Sequence, residues 1–271
     1  MQTNNKIVIN RKERRYKKNE YVTSLKEKIK SDIINYEERS IYGIYFICCI
    51  GNYLKIIEEQ LNLLLYSGLF DKTKKIICYI CNYDPNDVEL IKLFYNYFTK
   101  VEFYSTSENL YEKFAFNNFK KHLPQEPYYC YYMHTKGVSK PESSHIVQRR
   151  SILNFYTILK YEISLKLLKY YDAVGVTLFR YPKTHFSGNF WWSKSEHLCT
   201  LPDLIGDKYL EPEMYICSNS FGKYIGLSKE ENTFESSDIN HHYHLSDEEI
   251  INNINENSII NEWGKDVIHL C

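Results

Sequence analysis

Three short stretches hold the side chains best suited to chemistry. The first is His134-Thr135-Lys136-Gly137, a titratable, Gly-ended turn that follows the apolar run Tyr128-Tyr129-Cys130-Tyr131-Tyr132-Met133. That run has high strand propensity, and in an open α/β sheet ligands bind just beyond the carboxyl ends of the strands. A His and a Lys two residues apart at such an end mark a candidate site, although a strand that merely runs into a polar turn has the same sequence. The second stretch, Ser187-Gly188-Asn189-Phe190-Trp191-Trp192, places two tryptophans side by side after an open turn. On a strand the two rings face opposite ways, so one can pack in the core while the other lines a cleft. An aromatic face suits a sugar ring, and the Asn189 amide beside Gly188 suits its hydroxyls; a core pair after a turn is the plainer alternative. The third is Glu211-Pro212-Glu213, where Pro212 fits the first turn of a helix running to about Phe221. Either carboxylate complements the helix dipole, and either is a candidate general base if it faces the cleft.

Two other groups attract notice. Adjacent histidines at His241, His242 and His244 suggest a metal site, but no Cys or Asp stands at ligand spacing, and a solvated cluster explains them as well. Cys78 and Cys81 have the spacing of a metal or redox pair. They fall inside the strand-like run Ile76–Cys81, where residues three apart point to opposite faces, so buried reduced thiols are the better account.

Elements that would position these residues follow from periodicity. Ile41–Ile50 is a nearly continuous apolar run, expected for a strand covered on both faces. Leu54, Ile57, Leu61, Leu64 and Leu65 then keep helical spacing over Tyr53–Tyr66, with Gly68 just past the end. Lys75–Cys81 is a second strand, Val88 to about Phe98 a helix, and Val101–Tyr104 a third strand. A further helix is expected from Ser107 or Asn109 to about His122, ahead of the Tyr128 strand. Ser143 or Ser144 caps a long helix over about 145–170, with Arg149 and Arg150 either solvated or reaching the site. Asp172–Phe179 reads as a fifth strand. Alternating strands and helices with short connections give an α/β fold with a mostly parallel central sheet flanked by helices, Rossmann-like in character. The loops at Gly51 and at Asn82-Tyr83 would then lie on the same edge as His134, where a nucleotide-type ligand is expected. A Gly-x-Gly-x-x-Gly fingerprint and a P-loop are both absent.

Composition narrows the classes. Lys plus Arg equals Asp plus Glu at 34 each, so no overall field draws the 271-residue chain to nucleic acid. No apolar run reaches the roughly 20 residues of a membrane span, and the polar N-terminus is no secretory signal. A cytoplasmic protein is expected. Residues 1–40 form a basic, helical extension, either solvated or an anchoring patch for acidic partners or phospholipid. Residues 41–240 form the main domain, and 241–271 a tail packing on it.

In order, the Met133-His134-Thr135-Lys136-Gly137 strand end, the Ser187–Trp192 segment and the Glu211-Pro212-Glu213-Met214 segment resemble a family of glycosyltransferases of the GT-A fold from bacteria and large DNA viruses. The likeness covers about residues 41–220. It implies a GT-A-like domain that transfers a sugar from a nucleotide-sugar donor to an acceptor hydroxyl on a glycan or protein-linked glycan. By that resemblance Cys49, Gly51, Asn82, Tyr83, His134, Thr135, Lys136 and Gly137 bind the donor. Ser187, Gly188, Asn189, Trp191 and Trp192 shape the sugar and acceptor pocket, and Glu213, then Glu211, is the base. The family's fold usually carries Asp-x-Asp where this chain has His134-Thr135-Lys136. Either Lys136 neutralises the diphosphate directly, or His134, with Asp172 or a C-terminal histidine such as His244, supports Mn or Mg. A non-catalytic nucleotide-sugar or carbohydrate-binding module of the same fold is the competing expectation.

Overall fold

The computed structural model describes residues 11–35, 38–81, 83–95, 99–140, 142–206, 208, 210–228, 244–254 and 258–260, and the side chains of 11–16, 94 and 260 lie outside that description. Asn82, His241 and His242 are therefore outside the described residues.

Helix α1 (Arg11–Ser31) precedes β1 (Ser40–Cys48), followed by α2 (Tyr53–Tyr66), α3 (Leu69–Lys72), β2 (Thr73–Cys81), α4 (Pro85–Tyr95) and β3 (Val101–Thr106). Two single-turn helices, α5 (Lys113–Phe116) and α6 (Phe119–His122), lead to β4 (Tyr128–His134). Next come α7 (Ser144–Asn154), a π-turn over Phe155–Leu159, and α8 (Tyr161–Leu167). The chain continues through β5 (Ala173–Gly175), β6 (Leu178–Phe179), β7 (His185–Phe186), β8 (Trp191–Lys194), α9 (Ser195–Leu198), α10 (Glu211–Tyr215) and β9 (Tyr224–Gly226). An Asp247–Asn253 helix and β10 (Ile259–Ile260) complete it.

The central sheet has strand order β10-β9-β5-β8-β4-β1-β2-β3, and β6 pairs with β7 in a small second sheet. Strands β3, β2, β1 and β4 are parallel, β8 runs antiparallel to both β4 and β5, and β9 is parallel to β5. The expected mostly parallel sheet flanked by helices is the one found. Burial explains the continuous apolar runs: β1 is buried from Ile41 to Cys48 and β4 is buried at every residue but Tyr129, so both faces are covered. Helix α2 presents Ile56, Ile57, Gln60, Leu61 and Leu64 inward, and Gly68 follows it at φ 72°. Helix α1 is not a free arm, because Val22, Leu25 and Ile29 are buried. The C-terminal segment contributes the edge strand β10.

Four expected elements differ, each for a traceable reason. The helix expected up to His122 is reduced to α5 and α6. The Asn118 side chain between them donates to the Phe114 carbonyl at 2.8 Å, a local bond that competes with continued helix. The long helix expected over 145–170 is interrupted by the π-turn, where the Thr157 carbonyl accepts the Trp192 indole N–H at 2.9 Å. Helix α10 stops at Tyr215 because Asn219 forms a turn, its side chain accepting from the Phe221 N–H at 2.9 Å. The fifth strand breaks after Gly175, and its continuation pairs with β7 instead.

Gly175 is where a close approach is required: a Cβ there would lie 2.3 Å from Cγ of Phe186. That ring anchors the hairpin leading into Ser187-Gly188-Asn189. Gly175→Ala is expected to destabilise the fold by about 1–3 kcal/mol through overpacking. Chemical denaturation checks this, with Phe186→Leu in the same chain restoring part of the loss; a neutral Gly175→Ala would mean that the ring does not pack there.

Candidate active site at the carboxyl edge of the sheet

Strand β4 ends at His134, level with Phe46 of β1, and Cys48 of β1 lies level with Cys81 of β2. The loops after β1, β2, β3 and β4 therefore open on one edge. The turn after β4 is tied down by its neighbours. Thr135 N–H donates to the Phe46 carbonyl at 3.1 Å, and the buried Thr135 Oγ1 accepts from the Cys48 N–H at 3.0 Å. Gly137 has φ 94°, and a Cβ there would stand 2.4 Å from Ile146 Cγ2. Gly51, at φ 59°, sits with its missing Cβ 2.9 Å from the Val138 carbonyl oxygen, so the β1 and β4 loops touch.

Arg150, only 1% exposed, lies behind this turn rather than in solvent. Its Nη2 and Nε hold Glu59 of α2 at 3.0 and 3.1 Å, and Nη1 donates to the Lys136 carbonyl at 3.4 Å. Gln60 donates to the His134 carbonyl at 3.1 Å. Arg149, the next residue of α7, turns toward the second motif and donates from Nη2 to Ser187 Oγ at 2.8 Å.

The three motifs meet. His134 Nε2 lies 3.0 Å from the Gly188 carbonyl, and Gly188 N–H donates to Glu213 Oε1 at 3.3 Å. Gly188 at φ 86° and Asn189 at φ 56° form the tight turn that permits both contacts. One residue missed by sequence reasoning belongs here. Glu112 Oε1 accepts from Asn189 Nδ2 at 2.7 Å and Tyr132 Oη at 2.8 Å, and stands 3.9 Å from His134 Nε2. Nothing near Glu112 in the sequence distinguishes it, since its partners lie 20 and 77 residues away.

Electrostatics follow from burial. Burial lowers the Lys136 pKa, with Glu112 and Glu213 opposing that shift and Arg149 adding to it. The Lys136 ammonium makes no hydrogen bond or ion pair with any described residue. Burial also lowers the pKa of Arg149, against the nearby charge of Glu213. His134 is held neutral chiefly by burial, which outweighs Glu112. Its Nε2 faces a carbonyl, which only accepts, so Nε2 carries the proton.

Several expected roles are corrected by the geometry. Trp191 and Trp192 are 0% and 1% exposed, so neither ring lines a cleft. Trp191 stacks on Tyr132 at 5.3 Å and donates to Asn189 Oδ1, while Trp192 packs on Tyr131 at 5.0 Å. Both ends of the Asn189 amide are thus engaged within the protein, and Asn189 positions Glu112 rather than presenting a free amide. Glu211 lies over Gly206 instead of beside Gly188. Cys49 and Tyr83 are half-buried on the same edge as Gly51, and burial together with Asp87 pushes the Cys49 thiol up to about 12.

The described residues named for a metal do not come together, and His241 and His242 lie outside the described residues. Asp172 pairs with Lys194 at 2.9 Å at the opposite end of the sheet. Lys194 is level with Tyr129, five residues before His134, which is roughly 16 Å along the strand. His244 is exposed, three residues before the Asp247–Asn253 helix, which packs on α1. Among the described residues no group of three or more His, Cys, Asp or Glu side chains could hold a metal ion.

No protein-family model matches the chain, and no curated protein matches it. Several solved structures are similar in fold, including the following two. One is a 4-diphosphocytidyl-2C-methyl-D-erythritol synthase from Anaerococcus prevotii, with 13% identity and a TM-score of 0.38, covering 77% of this chain and 82% of that one. The other is a mannosyltransferase from Pyrobaculum calidifontis in complex with GDP-mannose and Mn2+, with 13% identity and a TM-score of 0.43. That match covers 75% of this chain and 59% of the mannosyltransferase. Likenesses at this level assign no activity. No described helix is long and apolar enough to cross a membrane.

Because burial lowers the pKa values of His134 and His197, the unfolded chain binds protons more readily than the folded one as the medium acidifies. Their stabilising contribution is full above the unfolded value near 6.5 and is lost as pH falls below it toward the lowered folded values. The melting temperature is expected to drop between pH 7 and pH 5. The drop should shrink in His134→Gln, and an unchanged slope would show that His134 is not held neutral by the fold.

Proposed function

We propose that this chain is a nucleotide-sugar-dependent glycosyltransferase acting on a glycan or other hydroxyl acceptor. The observation that carries the reading is the meeting of Lys136, Arg149 and Glu213 around the Gly188 turn at the ligand-binding edge of the sheet. The ordered resemblance of the same three segments to GT-A glycosyltransferases points the same way. In an inverting transfer the acceptor oxygen attacks the anomeric carbon, the bond to the nucleoside diphosphate breaks, and charge builds on the departing phosphate. Lys136 and Arg149 supply positive charge where that phosphate lies, and a half-buried site strengthens their effect. Glu213 takes the acceptor proton; one of its oxygens is fixed by the Gly188 N–H. Glu112, oriented by Tyr132 and Asn189, offers its other oxygen to sugar hydroxyls. Cys49, Gly51 and Tyr83 border the place for base and ribose.

Incubating the protein with UDP-, GDP-, CDP- and dTDP-sugars and measuring release of the nucleotide tests the reading. Thermal stabilisation by nucleotide without any turnover would identify a binding module instead. Glu213→Gln is expected to lower kcat by roughly 10²–10⁴ while leaving nucleotide affinity nearly unchanged; full activity in that variant would remove Glu213 as the base. Since the Lys136 pKa is lowered, its charge is present at low pH and lost as pH rises through that value. Nucleotide affinity should therefore decline at a more acidic pH than an ordinary lysine would impose. Isothermal titrations of wild type and Lys136→Arg across pH 7–10 read this out, and coincident profiles would contradict it.

A further inference from the structure

Among the described residues, only Tyr111 and Asn189 hold a positive φ without being glycine. Asn189, at φ 56°, has a short polar side chain that tolerates the left-handed region, and that side chain holds Glu112. Tyr111, at φ 48°, is a bulky residue for which the same region is strained, and strain of this kind concentrates at ligand sites. Its placement fits. The Tyr111 N–H faces the Cys81 thiol at the carboxyl end of β2, while the next residue, Glu112, accepts from Tyr132 near the end of β4. Since β1 lies between β2 and β4, these two consecutive residues cross the strand ends of the site, a span of roughly 10 Å at the usual strand spacing. Tyr111 stands on the β2 side of that crossing, where Tyr83 also follows β2. It is 48% exposed, whereas Cys81 is buried. A large aromatic residue is thus held in a strained backbone and half open to solvent at the carboxyl edge.

Resting on the nucleotide-sugar reading, we infer that Tyr111 is a donor-binding residue whose ring stacks on the nucleobase. Every base presents a flat π-face, so such a stack secures a nucleoside without reading its hydrogen-bonding edge. The left-handed turn at Tyr111 lets Glu112 point inward to Tyr132 and Asn189 while its neighbour stays exposed. Two adjacent residues thereby divide the donor between them, the base at Tyr111 and the sugar at Glu112.

UDP, GDP, CDP and dTDP are the probes, titrated calorimetrically into the whole chain and its variants. Tyr111→Asn removes the ring but tolerates the left-handed φ, so it is expected to melt no lower than the wild type. It should bind the nucleotides about 5–100-fold more weakly, the range for one lost base–aromatic stack. Tyr111→Phe keeps the ring and should bind within about threefold of the wild type. Unchanged affinity in Tyr111→Asn, or an equal loss in Tyr111→Phe, overturns the inference and leaves the glycosyltransferase reading standing. A Tyr111→Asn chain that melts well below the wild type shows that the ring serves the fold, and overturns the inference too. No binding of any of the four nucleotides to the wild type overturns the reading itself and the inference with it.

Discussion

A buried guanidinium governs the site. Arg150 has no water around it, so its charge must be met inside the protein, and Glu59 meets it. Such a pair is poor evidence for stability, since the guanidinium has been desolvated to form it. Its consequence here is geometric. Arg150 reaches past Glu59 to the Lys136 carbonyl, while Asn154 donates to Glu59 at 2.9 Å and Gln60 links Asn154 to the His134 carbonyl. Tyr45, from inside β1, closes the chain by donating to Gln60 Oε1 at 2.6 Å. Carbonyls just past a strand end have lost their ladder partners, and here α2 and α7 replace them. With the backbone of the turn fixed from behind, the side chains of His134 and Lys136 have only the front of the sheet to occupy.

Much of this frame is written locally. The β1–α2–β2 unit is legible because strand burial on both faces demands unbroken apolar runs, and α2 keeps its three-four spacing to the residue where Gly68 ends it. What escaped is long-range. Glu59 looks like any acidic residue on an amphipathic helix, and Arg150 like a solvated base in the second turn of another; only their contact, 91 residues apart, shows how the buried Arg150 charge is met. The same holds for the π-turn, set by an indole from β8, and for Glu112, whose polar surroundings in sequence give no sign of Asn189. The tryptophan pair misled for a related reason. Alternation correctly sends the two rings to opposite faces, but both faces of this sheet are covered, so neither ring reaches a cleft.

Why the motifs at 134–137 and 187–189 converge is a matter of strand direction. Had β8 run parallel to β4, the residues preceding it would lie at the far end of the sheet, beside Tyr128. Because β8 is antiparallel, with Trp191 opposite Tyr132, its leading turn is delivered to the end of β4 where His134 sits. The turn must then double back within a few residues, which requires positive φ at Gly188 and Asn189, and a Cβ at 188 would meet Leu153 of α7 at 2.8 Å. Once placed, this turn offers both backbone groups of Gly188 to the site: the carbonyl fixes the His134 ring, and the N–H orients Glu213. A single glycine thus couples an imidazole from one strand end to a carboxylate from a helix start, with Arg149 bonded to Ser187 just before it. The site is therefore assembled from the antiparallel strand inward, and the parallel strands alone could not have built it.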